Sequence, residues 1–180
     1  MTSCTEHTSS IDGAHIKTPK QKVLKDNSMI KGFVTMIKNE GRADEQILCK
    51  HKPNILTDDG RDYFIAQCYV NTSAGGVGCN FIALTVNTAA ASASSTTLTG
   101  EITTNGLERL LATTITHVSG TNSTTLNKIF TASGTHTAVQ KSATFNQLAV
   151  GGQMAHEAIF TPVTLASSDT LSVTWTLTLG

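Results

Sequence analysis

The ten residues LSVTWTLTLG (171–180) set Leu171, Val173, Trp175, Leu177 and Leu179 in strict alternation with Ser172, Thr174, Thr176 and Thr178. A period of two turns one face of a β-strand towards a core and the other away from it. A helix cannot use that pattern, because the apolar residues would spread around its whole circumference. Comparable stretches recur from residue 80 onwards: NFIALTV (80–86), LERLLATTITHV (107–118), TTLNKIFTA (124–132), TAVQKSATF (137–145) and QMAHEAIFT (153–161). Gly, Ser and Asn punctuate them. Short strands at regular intervals with turn signals between them predict a mainly β chain, an antiparallel β-sandwich or jelly-roll-like domain.

Within that frame, KGFVTMIK (31–38) and EQILCKHK (45–52) read as a hairpin around NEGR, with Gly41 available for positive φ and Pro53 ending the ladder. One helix is expected, near 58–69. Thr57 or Asp58 would cap it, acidic residues fill its first turn, and Phe64/Cys68 and Ile65/Tyr69 stand at i, i+4. The stretch 80–86 is nearly continuous in apolar residues and should be a buried central strand. Residues 87–100 form an Ala/Ser/Thr-rich loop. The stretch 107–118 is expected to be one long strand, bent near Leu110 and Leu111. Val139, Ala143 and Phe145 are expected on one side of theirs, and Pro162 is expected to break the strand that precedes it. Trp175, Phe81, Phe130, Phe145 and Phe160 are the predicted core anchors.

Charge is distributed unevenly. The chain carries 13 basic and 13 acidic residues; nineteen lie in residues 1–80 and only seven in 81–180. Threonine and serine fill the gap, as suits a pleated surface or one that meets protein rather than bulk water. Residues 1–29 are polar and aperiodic and predict a flexible arm preceding a sandwich domain over 30–180. Lys17, Lys20, Lys22 and Lys25 make the arm weakly basic, and no aromatic residues interleave them. Nucleic acid is therefore not an expected partner, and a tether to a neighbouring subunit is the sharper reading. No run of eighteen apolar residues predicts a membrane span, and the N-terminal stretch lacks the apolar region of a secretory signal. The chain is expected to be made in a cytosol. Its four cysteines show no CxxC spacing, which argues against a zinc ribbon or a dithiol motif.

Chemistry-bearing motifs are sparse. GxSxG, HExxH, the P-loop lysine motif and the EF-hand loop are all missing. His117, His136 and His156 could meet Glu157 at a metal, but their spacing carries no ligand signature. Glu101, Glu108 and Glu157 could supply a carboxylate pair for glycoside hydrolysis, yet one Trp and two Tyr offer few sugar platforms. Neither catalytic residues nor a cofactor or metal are expected.

KHKPNILTDDGRDYFIAQ resembles an element of tailed-bacteriophage structural proteins, where a strand ends in Asn-x-Leu/Ile-Thr and a Gly-Arg-Asp helix start follows. NFIALTVN, the Ala/Ser-rich loop and TTLTGEITTNGLERL resemble their next block, and AHEAIFTPVTLASSDTLSVTWTLTLG their closing hairpin. The resemblance spans residues 50–180. It implies a non-enzymatic virion protein, assembled in the host cytoplasm, that binds the major capsid protein or another virion protein as a homo-oligomer, without nucleic acid or membrane. Decoration, or cementing, of the capsid shell is the preferred role. Lys17, Lys20, Lys22 and Lys25 would lace neighbours together, and Thr174, Thr176 and Thr178 would meet a subunit face. A tail fibre or baseplate subunit touching the host through loops 87–100 and 119–123 is one alternative. A carbohydrate-binding or adhesion sandwich is another. The final strand would then be either internal to its sheet or an edge covered by a neighbour.

Overall fold

The computed structural model describes residues 30–65 and 78–179. The expected arm with its four lysines, the end of the predicted helix, Cys4 and Cys68 lie outside the described residues. In chain order the elements are β1 (Ile30–Lys38), β2 (Gln46–Pro53), β3 (Ile55–Leu56), α1 (Asp58–Ile65), β4 (Phe81–Thr85) and β5 (Leu110–Leu111). They are followed by β6 (Thr114–His117), β7 (Ser123–Thr131), β8 (His136–Phe145), β9 (Met154–Leu165) and β10 (Thr170–Leu179). The strands form two five-stranded antiparallel sheets, ordered β2-β1-β10-β7-β6 and β3-β9-β8-β4-β5. Together they make a β-sandwich with one short helix.

The sandwich follows from the period-two pattern. Val34 and Met36 of β1, Leu126 and Phe130 of β7, and Leu171, Val173 and Trp175 of β10 face inward from the first sheet. Ile82, Leu84, Ala158, Phe160, Val163 and Leu165 meet them from the second. Each large side chain taken fully out of water contributes about 1.5–3 kcal/mol relative to exposure. Trp175 is 0% exposed and is the largest residue of this layer. Its strand pairs with β1 on one side and β7 on the other through nine residues each. The uncharged alternation of 171–179 therefore belongs to an interior strand, and its backbone is fully laddered.

Helix α1 is held by its own cap. Thr57 is buried; its Oγ1 accepts from the Gly60 amide at 3.0 Å and donates to the carbonyls of Met154 and Ala155 at the start of β9. The helix approaches β9 so closely that a Cβ on Gly60 would lie 2.5 Å from the Ala155 carbonyl oxygen, so only glycine fits there.

Four expectations are corrected. The stretch 107–118 is not one strand: β5 pairs with β4 in the second sheet and β6 with β7 in the first. The crossing falls at a buried Ala112, whose amide donates to Asn80 O, while the next amide, of Thr113, donates to Asn127 O in the other sheet. Pro162 does not end β9. Val139 pairs with Val163 and Lys141 with Ile159, so four residues of β9 run against two of β8, and the proline sits in that irregularity outside the ladder. The shifted register also separates Val139, in the core between the sheets, from Ala143 and Phe145, which join a second cluster with Ala83, Leu98 and Met154. Phe81 is only partly buried, at the margin of that second cluster.

The second cluster lies on the outer side of the second sheet, and the segment 87–109 covers it. Thr85 Oγ1 donates to the carbonyls of Thr99 and Gly100, and the Ile102 amide donates to Leu84 O. Two buried ion pairs lie beneath. Arg109 forks onto Glu101, Nε to Oε1 at 2.8 Å and Nη2 to Oε2 at 2.5 Å, with its guanidinium carbon 3.5 Å from the Phe145 ring centre. Lys141 pairs with Glu157 at 3.4 Å, and Glu157 accepts from the Ser92 amide at 2.6 Å.

Candidate interaction face

The outer face of the first sheet is built by the residues that alternate with its core. Because Val173 and Trp175 point inward, Thr174, Thr176 and Thr178 point outward, and all three are half-buried. The register extends them into rows. Thr176 lies between Phe33 of β1 and Thr125 of β7, and Thr125 lies beside Thr116 of β6. Thr174 lies between Thr35 and Asn127, and accepts from Asn127 Nδ2 at 2.8 Å. Ser172 separates Ile37 from Ile129, and Ile37 lies opposite Ile47 of the edge strand β2. Lys31, opposite Thr178 at one end, is the single charged residue among these outward positions of β1, β10, β7 and β6.

One margin of the face is fixed by an aromatic stack. A bulge in β2 at His51 (φ 48°) brings its ring flat against Phe33, with centroids 4.0 Å apart. A polar knot fixes one end. Asn39 is buried at φ 49°, donates to Asp44 and Asp169, and accepts from the Thr170 amide at 2.8 Å. Asp169 also accepts from the Ala166 amide and pairs with Lys38 at 2.8 Å. The Lys38 hydrogen bond, with those of Ala166 and Asn39, holds the Asp169 carboxyl well below the usual carboxylate range. These contacts tie the β1–β2 turn to the β9–β10 turn, so the face is presented on a rigid frame.

The titratable residues do not gather. His156 and Glu157 are consecutive on β9 and so face opposite sides of the second sheet. His156 is buried between the sheets, its Nδ1 3.2 Å from Thr144 Oγ1 and its ring 6.1 Å from that of Trp175. Burial pushes its pKa down to about 4. His136 lies eight residues from Thr144 along β8, and His117 is exposed on β6 in the other sheet. Among the described residues no three His, Cys, Asp or Glu groups are placed to hold a metal. Glu101 and Glu108 share an open recess of about 300 Å³ with Arg109, Leu148 and Val150, but both Glu101 oxygens are occupied by Arg109. Cys79 is pushed up to about 12 by burial, with Asp59 adding to the effect; burial also raises Cys49. Among the described residues no helix is long and apolar enough to cross a membrane.

The pattern of the sequence pointed to Thr174, Thr176 and Thr178 but not to the rows beside them, which depend on register across four strands. It also missed the covered second face. One local sign was available there: in GLERLL a Glu-Arg pair interrupts an apolar run within a charge-poor half of the chain, the situation in which a charge is buried with a partner.

No protein family, curated protein or solved structure matches this chain.

Proposed function

We propose that this chain is a non-enzymatic virion structural protein that coats a capsid shell and stabilises it by subunit contact. The observation that carries the reading is the outer face of β1, β10, β7 and β6: rows of threonine broken by Ile37 and Ile129, with one charge, Lys31, at its end. A monomeric domain normally keeps a mixed charged surface. A face with so little charge, on a frame fixed by the Asn39–Asp169 knot, suits contact with another protein surface and is poorly suited to a phosphate backbone or an anionic membrane. Individual contacts of this kind are weak, and many copies on a repeating lattice make them effective together. The resemblance of residues 50–180 to tailed-phage structural proteins is what suggests a virion lattice, and the capsid shell is the preferred one.

The test is binding of the purified chain to stripped capsid shells of its source. Thr174→Arg and Thr176→Arg add charge at half-buried outward positions without touching the core. Each is expected to weaken shell binding by at least about tenfold, while the fluorescence of Trp175 stays native. Undiminished binding by both variants would show that this face is not the contact.

A further inference from the structure

We propose that β6 pairs antiparallel with β6 of a second copy across a two-fold axis, joining two five-stranded sheets into one of ten strands. The proposal deepens the assembly reading above by naming where copies of the chain meet; it does not depend on what lattice they cover.

A sheet edge carries a row of free backbone donors and acceptors, and proteins blunt such edges with short strands, bulges, proline or lysine. Among the described residues the sandwich has four edges, and three carry these devices. β3 and β5 are two residues long. β2 carries Lys50 and Lys52, bulges at His51 and closes on Pro53. β6, at four residues, is longer than β3 and β5 and carries no bulge, proline or lysine. Its four residues, TITH, contain no proline and no Asp, Glu, Lys or Arg, hold positive φ nowhere, and run in unbroken register against β7. No Asp, Glu, Lys or Arg occurs anywhere from residue 110 to 127. Along the same margin Ile115 is 50% exposed, Val118 60% and Leu111 48%.

The occupant follows from what the edge needs. Free amides and carbonyls in a row are matched by another unpaired strand edge. Among the described residues of this chain β6 is the one edge left unblunted, and a two-fold axis normal to the sheet brings it against itself. Self-pairing opposes no like charges, because the strand has none. It brings the exposed margins that carry Ile115 and Val118 in the two copies against each other, as an isologous interface requires. It also carries the threonine rows of the outer face across the junction. A ten-stranded open sheet stays within the usual range.

The full chain is examined by sedimentation equilibrium over a wide concentration range, together with amide hydrogen exchange. The expected mass is twice the 19.0 kDa of the chain. Alternate amides of Thr114–His117 already bond β7; the others, on the open edge, should become protected as the dimer fills. In the double variant Ile115→Lys/Val118→Lys the dimer should weaken at least about a hundredfold, with native Trp175 fluorescence. A monomer at every concentration would overturn the proposal, as would a dimer that persists in a folded double variant. A dimer whose open-edge β6 amides exchange freely would overturn it without recourse to any substitution. Protection of those amides only when capsid shell is added would assign the edge to a different partner and also overturn it.

Discussion

Acidification tests the placement of His156. The ring is fully buried between the sheets, with Thr144 as its hydrogen-bond partner and the rings of Phe64 and Trp175 each 6.1 Å away. Its ordinary pKa of 6.5 falls to about 4 because the imidazolium would lose its hydration. In the unfolded chain the ring takes up a proton below about 6.5, whereas in the folded chain it does so only near 4. Between those values the unfolded state binds more protons, so stability falls as pH falls. The contribution is complete above 6.5, is lost progressively down to about 4, and is constant below that. With each pKa unit worth about 1.4 kcal/mol, the total loss is about 3 kcal/mol. Urea unfolding followed through Trp175, the single tryptophan, measures it directly. His156→Gln lowers stability at every pH, but the difference in slope between wild type and variant across pH 6.5–4 isolates this ring from the carboxylates, which titrate in both. Parallel slopes would refute the burial of His156 against Trp175.

Trp175→Ala should cost about 3–5 kcal/mol in urea unfolding followed by circular dichroism, since the residue is fully buried at the centre of the inter-sheet core; an unchanged midpoint would remove it from there. Arg109→Met leaves Glu101 buried without its partner and frees three carbonyls, of Gln147, Ala149 and Gly151, so a loss of about 3–5 kcal/mol is expected in the same assay. Asp169→Asn should remove a stabilising contribution of about 1 kcal/mol, discounted for partial exposure, that wild type holds above the ordinary carboxylate pKa and loses as pH falls below it. The two stability curves should therefore converge in acid. Cys79 should react slowly with a thiol reagent at mild alkaline pH in the folded protein and quickly in urea, because burial keeps it a thiol.

How far the sequence could be read depended on the range of the interactions involved. Strand positions followed from local alternation, so β1, β2, β4, β7 and β10 lie within a residue or two of the stretches that predict them. The Thr57 cap was equally local. The sheet change at Ala112 was hidden because both halves of 107–118 keep strand character; only the hydrogen-bond partners, Asn80 and Asn127, differ. Pro162 ends a strand in isolation, but a bulge against β8 carries the strand past it. The same bulge reverses the facing of Val139, a parity change that no single strand contains. The loop 87–100, low in complexity and polar, reads as a plain connection, or in the fibre alternative as one that touches the host. It lies over the second sheet, with Ser92 donating to the buried Glu157 and Leu98 buried in the cluster, because the sheet presents apolar residues on both faces and needs a cover. Of the interaction face, the threonines of β10 were legible. The neighbours that make them a surface, and the contrast between β6 and the three blunted edges, required the fold.

The copy number of this chain in purified particles from its source tests the proposal that it coats a capsid shell. Quantitative mass spectrometry against the major shell protein should return a ratio near a simple fraction of the shell subunits. Absence of the chain from purified particles would rule out a place on the shell.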